Sequence, residues 1–326
     1  MKRTGFTLVD LLVIILILLV VAAFFPPGLQ QAREAARQMQ CGNNLKNQAL
    51  AALNHEATFK TYPSGGWNVN YVGDPDRGFG PKQPGTWTFL LLPFLEQNAL
   101  FQVGATGKAD ACERKKNSEV LETSLGCFIC PSRHEFKALP LGVTDYLNSN
   151  FTGSQGAKSD YAANYGTTVM KIGNAVSYET PDDEIGSPEE PTGVIFDASA
   201  VTIGDITDGT TNTYLIGEKF VYSDQYEQAG PGDKASMYAG IADNDSNSNF
   251  RSAGVLETKE WFLPTQDAAQ TEANQGAWRG FGSAHAGSFG MAMCDGSVQR
   301  ISYEIDGETS ARLADRKDGH LLPLPE

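Results

Sequence analysis

Hydrophobic positions fall into three regimes along the chain. In residues 6–25 only Thr7 and Asp10 are polar, so an apolar run of 20 residues stands near the amino terminus. As a helix it would be about 30 Å long, the thickness of a bilayer's hydrocarbon core. Over residues 26–60 the pattern turns amphipathic. Leu29, Ala32, Ala36 and Met39 recur at three- and four-residue spacing, and Leu45, Ala49, Ala52 and Leu53 resume the pattern after a slip near Gly42-Asn43-Asn44. Pro26-Pro27 predicts a kink in this helix, and Tyr62-Pro63-Ser64-Gly65-Gly66 closes it through the pre-proline restriction and two glycines. Beyond residue 61 the apolar stretches are short: 87–94, 192–196, 200–206, 213–220 and 289–305. Bounded by Gly, Pro, Asn and Asp, these predict strands. A short helix is expected over 118–125, and surface loops over 179–191 and 222–233. The pattern predicts an α+β fold: a long N-terminal helix, one half in a membrane and one half amphipathic, packed on a β-rich globular domain spanning 61–326.

The amino terminus narrows the reading of the apolar run. A cleavable secretory signal ends in small residues, whereas Ala22-Ala23 is followed here by Phe24-Phe25-Pro26-Pro27. A plain anchor leaves Asp10 unexplained, since a carboxylate inside an apolar helix costs roughly 2.5 to 3.5 kcal/mol on insertion scales. The order Met1-Lys2-Arg3-Thr4-Gly5 followed by Phe6-Thr7-Leu8-Val9-Asp10 resembles the N-terminus of type IV prepilins. That resemblance implies a leader over residues 1–5, cleavage by prepilin peptidase between Gly5 and Phe6, and methylation of the new amine. It also gives Asp10 a role in assembly, pairing with the terminal amine of a neighbouring subunit. The family pattern has Glu at this fifth mature position; Asp10 keeps the charge with one methylene less of reach. Lys2 and Arg3 favour a cytoplasmic amino terminus.

Composition excludes some partners. The net charge is −14 and no basic stripe follows the leader, so nucleic acid is not expected as a partner. With 34 Gly and 16 Pro, the chain suits an extracytoplasmic domain rich in turns. Its five cysteines would face an oxidising compartment. Cys112, Cys127 and Cys130 are the candidates for disulfides, because bridging the short stretch between them asks least of the fold. Cys127-x2-Cys130 with His134 also has the outline of half a zinc site, but no second paired-ligand motif accompanies it.

Several further segments resemble the DUF1559 family found in planctomycete bacteria. They are Gln30-Gln-Ala-Arg-Glu-Ala-Ala-Arg-Gln-Met-Gln-Cys41-Gly-Asn-Asn-Leu-Lys46, Cys130-Pro-Ser132, Ser159-Asp-Tyr-Ala-Ala-Asn164, Ile206-Thr-Asp-Gly-Thr-Thr-Asn-Thr-Tyr-Leu-Ile-Gly-Glu218, and His285 followed by Asp295-Gly296. The last is the family's H-X9-DG mark. The resemblance covers nearly the whole chain and implies a pilin-like protein without an established activity, a family elsewhere labelled solute-binding.

Read from the residues, Phe289, Met291 and Met293 alternate into Asp295-Gly296, and Ile301, Tyr303 and Ile305 alternate on the way back. This predicts a hairpin within 285–305, with a two-residue type I′ turn at Asp295-Gly296. His285, among glycines, is expected to fix that loop by a hydrogen bond. Asp243, Asp245 and Asn247 alternate like the start of a calcium loop, yet the glycine and final acid of an EF-hand are missing. Calcium is the one cofactor these residues suggest, and no other metal is expected. No nucleophile elbow, Walker loop or dinucleotide fingerprint is present, and His55-Glu56 lacks the second histidine of a zinc protease, so no enzymatic activity is expected.

The reading is a membrane-anchored type IV pilin-like or pseudopilin-like subunit. Its partners are prepilin peptidase, other pilin-like subunits and the membrane. It would cross the inner membrane once, with an extracytoplasmic domain carried to a periplasmic fibre or the cell surface after assembly. The alternative is a surface-anchored solute- or glycan-binding protein that uses the leader for export and lines its site with Trp67, Tyr71, Trp87, Trp261 and Trp278.

Overall fold

The computed structural model describes residues 5–108, 117–168, 177–180, 191–242, 246–256 and 258–320, with the backbone alone described at 20–28. One helix, α1 (Leu8–Phe59), makes up the N-terminal part and continues through Pro26-Pro27. Thr7 caps it, and a reciprocal box with Asp10 holds its first turn. Lys60, in the left-handed region, ends it just before the pre-proline residue Tyr62. Counted over the described residues, no helix is long and apolar enough to cross a membrane.

Only the C-terminal part of α1 enters the domain. Cys41, Asn44, Leu45, Gln48, Ala49, Ala52 and His55 are buried at helical spacing. The apparent slip at Gly42-Asn43-Asn44 therefore conceals one continuous face with polar members. Asn44 donates to the Ile129 carbonyl at 3.0 Å and Gln48 Nε2 to the Cys127 carbonyl at 2.6 Å, so both amide nitrogens enter the core paired, while Gln48 Oε1 is buried without a hydrogen bond. The expected first phase does not pack: Leu29, Ala32, Ala36 and Met39 are exposed.

The domain is built on a five-stranded sheet flanked by small two-stranded ladders. In chain order the strands are β1 (Leu139–Pro140), β2 (Gln155–Gly156), β3 (Tyr161–Gly166), β4 (Tyr214–Glu218), β5 (Phe250–Ser252), β6 (Gly254–Val255), β7 (Glu260–Trp261), β8 (Thr265–Gln266), β9 (Gly282–Ser283), β10 (Ser288–Met293) and β11 (Val298–Ser302). The large sheet has the order β11-β10-β4-β3-β5, antiparallel except for the β3–β5 pair. One face carries Leu215, Ile216 and Ala292 against Leu45, Ala49 and Ala52 of α1. The other carries Phe289, Met291, Met293 and Ile301 against the C-terminal helix Gly307–Ala314. Burying a side chain such as Leu45 completely contributes about 2 kcal/mol, so this seam fixes α1 on the sheet.

Several expectations need correcting. Residues 87–94 form a short α-helix (Trp87–Leu90) and a 3-10 turn (Leu92–Leu95), because a short apolar run buried on every side carries no period to mark it as strand. Residues 200–206 hold a 3-10 turn (Ile203–Asp205) closed by a Thr202–Asp205 box, and 192–196, half-buried at Thr192 and buried beyond it, do not join a ladder. The 118–125 helix is present as Ser118–Glu122. The hairpin forms as β10–β11, but its loop differs from type I′. Gly296 N–H donates to the Met293 carbonyl and Met293 N–H to the Ser297 carbonyl, and only Gly296 has positive φ, at 81°. This is a three-residue loop with a glycine bulge. Most of the 179–191 loop lies outside the described residues.

Candidate functional site

Four side chains that bind metals in proteins meet between α1 and the sheet: Cys41, Cys130, Glu218 and His285. Their ligand atoms all lie within 4.8 Å of one another, and all four residues are buried. Cys41 comes from α1, Cys130 from the loop after a 3-10 turn (Gly126–Phe128), Glu218 from the end of β4, and His285 from the turn between β9 and β10. Cys41 Sγ is 3.2 Å from Cys130 Sγ, Cys130 Sγ is 3.8 Å from His285 Nε2, and His285 Nε2 is 3.5 Å from Glu218 Oε1.

Strand register positions Glu218. Tyr161 pairs with Glu218 across β3 and β4, Gly290 pairs with Arg300 across β10 and β11, and the adjoining Gly217 pairs with Met291 between the two. Glu218 Oε2 accepts from Gly290 N–H at 2.6 Å and from Arg300 Nη1 at 3.2 Å. A Cβ at position 290 would lie 2.6 Å from Leu45 Cδ1 and 3.2 Å from Glu218 Oε2, so glycine lets α1 and the carboxylate approach this strand closely. Glu218 Oε1 is buried without a hydrogen-bond partner and lies at the cluster.

A carboxylate orients the histidine. Glu34, two turns before Cys41 on α1, meets His285 Nδ1 at 2.5 Å and accepts from Ser132 Oγ at 3.0 Å. This leaves Nε2 directed at the thiols. Burial opposes a charge on His285, but contacts with Cys130, Glu218 and Glu34 outweigh it and raise its pKa. The contact with Cys41, with burial adding to it, pushes the Cys130 thiol well above its usual range.

Behind Cys130 lies a buried ion network. Asp160 accepts from Cys130 N–H at 2.6 Å, and its carboxylate lies 3.1 Å from Arg133 Nη1 and 3.3 Å from His134 Nε2. Arg133 also holds Asp267 at 2.8 Å. A cleft of about 620 Å³ opens beside it, lined by Arg37, Pro131, Ser132, Arg133, His134 and Phe136 among others. Burial works against charging His134, and Asp160 outweighs it, so the pKa is raised. Asp160 is held well below the usual carboxylate range in spite of burial, by His134 and Arg133. The His134 contribution is therefore complete below its unfolded pKa of about 6.5 and is lost as pH rises through the higher folded value. We expect the melting temperature to fall as pH rises above about 6.5, and His134→Gln to flatten that fall in a thermal denaturation series. An unchanged slope in the variant would refute this assignment.

The segments brought together here are the motif-bearing ones. A family profile described as "Protein of unknown function (DUF1559)" matches residues 30–308. The chain belongs to this family. No curated protein and no solved structure matches it. In this DUF1559 chain, Cys41, Cys130, Glu218 and His285 each come from a different one of the motifs quoted above, and Asp160 and Tyr161 from another.

The other residues singled out from sequence are placed as follows. The His285 ring hydrogen-bonds Glu34 on α1, and it is the His285 carbonyl that ties this turn to the hairpin, accepting from Tyr303 Oη at 2.9 Å. Asp295 is exposed beyond the far end of β10, accepting from Ser297 N–H, so the two ends of the H-X9-DG motif do not meet. Gly296 presses on Leu53 of α1, and its carbonyl accepts from Lys46 at 2.7 Å. Cys127 and Cys130 are free thiols, contrary to the disulfide expectation; Cys130 turns to Cys41, and Cys112 lies outside the described residues. His134 serves Asp160 instead of a Cys127–Cys130 zinc site. Asp243 and Asp245 also lie outside the described residues, whereas Asn247 is buried and accepts from Asn249 N–H. Gly5 and Phe6 are exposed, and Asp10 Oδ2 accepts from Thr7 N–H at 3.0 Å. Trp67, Tyr71, Trp87 and Trp278 are buried and Trp261 is half-buried, so they do not form an exposed ligand face. Sequence reasoning missed Cys41, Glu34 and Glu218 as site residues, and motif membership was the one signal that marked the segments carrying them.

Proposed function

We propose that the chain is a pilin-like or pseudopilin-like structural subunit anchored in the inner membrane by residues 6–25. It is cut between Gly5 and Phe6 by prepilin peptidase and presents its β-rich domain outside the membrane. Its role is structural rather than catalytic. One observation carries this reading: every side chain from 5 to 19 is exposed, while the C-terminal part of the same helix is locked into the core. Phe6, Leu8 and Leu16 are 73%, 74% and 61% exposed, on all sides of the helix. An apolar cylinder of that kind is not stable in water and needs lipid or neighbouring helices around it. The capping box engages Asp10 through Oδ2, which leaves Oδ1 to meet the Phe6 amine of an adjacent subunit in the apolar layer.

The test is the mature amino terminus in native membranes. Intact-mass measurement of the parent is expected to show a chain starting at methylated Phe6. Gly5→Val, which puts a branched side chain at the cleavage position, is expected to retain residues 1–5. A mature Phe6 terminus recovered from Gly5→Val overturns the processing, and with it the pilin-like reading.

A further inference from the structure

We propose that Cys41, Cys130, Glu218 and His285 form a closed structural site for a divalent transition metal of the zinc type. The donor set, the spacing and the surroundings all support this site, whether or not the chain assembles into a fibre. Two sulfurs, an imidazole nitrogen and a carboxylate oxygen are a borderline-soft set that suits zinc and not calcium or magnesium. Tetrahedral zinc with these ligands needs donor atoms about 3.3 to 3.8 Å apart. The recorded separations are 3.2, 3.8 and 3.5 Å, with every pair inside 4.8 Å, so small side-chain rotations complete the tetrahedron.

Two features of the surroundings point the same way. Glu218 Oε2 is satisfied by Gly290 and Arg300, yet Oε1 is buried, accepts no hydrogen bond and has only the His285 Nε2 contact at 3.5 Å within the cluster. A buried carboxylate oxygen left without a donor is costly unless a cation takes it. Glu34 holds His285 through Nδ1, the outer-sphere arrangement that fixes the tautomer and frees Nε2 for a metal. Binding displaces the two thiol protons to solvent. Two thiolates and one carboxylate around a divalent ion leave one negative charge, which Arg300 on Glu218 offsets. Four protein ligands leave no open position, so the site is structural. It ties α1 to three separate segments of the domain.

The experiment uses the full chain, solubilised in detergent and purified without chelator. Elemental mass spectrometry is expected to find about one zinc per chain. Cys41 and Cys130 should resist alkylation until a chelator is added, a readout that needs no variant. Cys41→Ser and His285→Gln are expected to lose the zinc. Glu34→Gln alters the positioning residue while leaving all four ligands, and is expected to keep the folded circular dichroism spectrum while binding zinc about 10- to 100-fold more weakly. A parent that contains no transition metal and takes up none when zinc is supplied overturns the proposal. So does a Cys41–Cys130 disulfide in protein isolated without reductant, or zinc retention undiminished in Cys41→Ser.

Discussion

Arg133→Ala is expected to lower the stability of the domain by about 3 to 5 kcal/mol, the range for stranding a buried charge. The guanidinium is almost wholly buried and reaches two carboxylates: Nε and Nη2 bond Asp267 at 2.8 and 3.2 Å, and Nη1 bonds Asp160 at 3.1 Å. It also donates to the carbonyls of Asp160 and Lys219. Alanine leaves both acids in a low-dielectric interior. Asp267 then keeps Val221 N–H and Tyr226 Oη, while Asp160 keeps His134 and Cys130 N–H. Arg133→Lys restores the charge without the planar fork and recovers only part of the loss. Chemical denaturation of the purified chain measures it, and a loss below about 1 kcal/mol would show that the network is not a stabilising element.

Gly193→Ala is expected to cost about 3 kcal/mol, at the upper end of the range for overpacking. A Cβ at position 193 would lie 2.3 Å from the Asn164 carbonyl oxygen, 2.4 Å from Tyr165 C and 2.5 Å from Gly166 N. All three are backbone atoms of β3, the strand between β4 and β5, so no side chain can swing aside. The segment around Gly193 would have to leave β3, breaking the Gly193 N–H bond to the Tyr165 carbonyl and disturbing the Arg316 contact with the Gly193 carbonyl. Gly204→Ala is the control, since its Cβ would meet only Thr202 Oγ1 at 3.6 Å; it should stay within about 0.5 kcal/mol of the parent. Equal melting temperatures for the two variants would contradict the close approach.

What was legible in the sequence followed periodicity. The N-terminal helix, the β10–β11 hairpin, β4 and the Ser118–Glu122 helix all carry alternation, helical spacing or punctuation. Residues 87–94 and 192–206 do not, because a segment buried on every side is apolar without a period, and tertiary packing decides its conformation. The buried face of α1 was half visible. Leu45, Ala49 and Ala52 mark it, but Asn44 and Gln48 belong to it only because the Ile129 and Cys127 carbonyls await them. The metal-type cluster was not legible as chemistry. Cys41 and Cys130 stand 89 residues apart and Cys130 and His285 155 apart, so no local spacing expresses the site. The adjacent Cys127 and His134, which do have a suggestive spacing, face elsewhere.

The continuity of α1 also sets a distance. At 1.5 Å per residue, the stretch from Phe25 to Glu34, which contacts His285 of the domain, spans only about 14 Å. If residues 6–25 lie in the hydrocarbon, as proposed, the domain would rest on the lipid headgroups rather than swing free above them. Helix α1 enters the domain beside Glu34, Cys41 and the cleft that includes Arg37, the end that would face the membrane in the proposed arrangement. Tension pulled along the helix would meet the Glu34–His285 contact and the Cys41 cluster before it reached the Leu45 seam, making this junction the clamp through which a fibre would drag its outer domain.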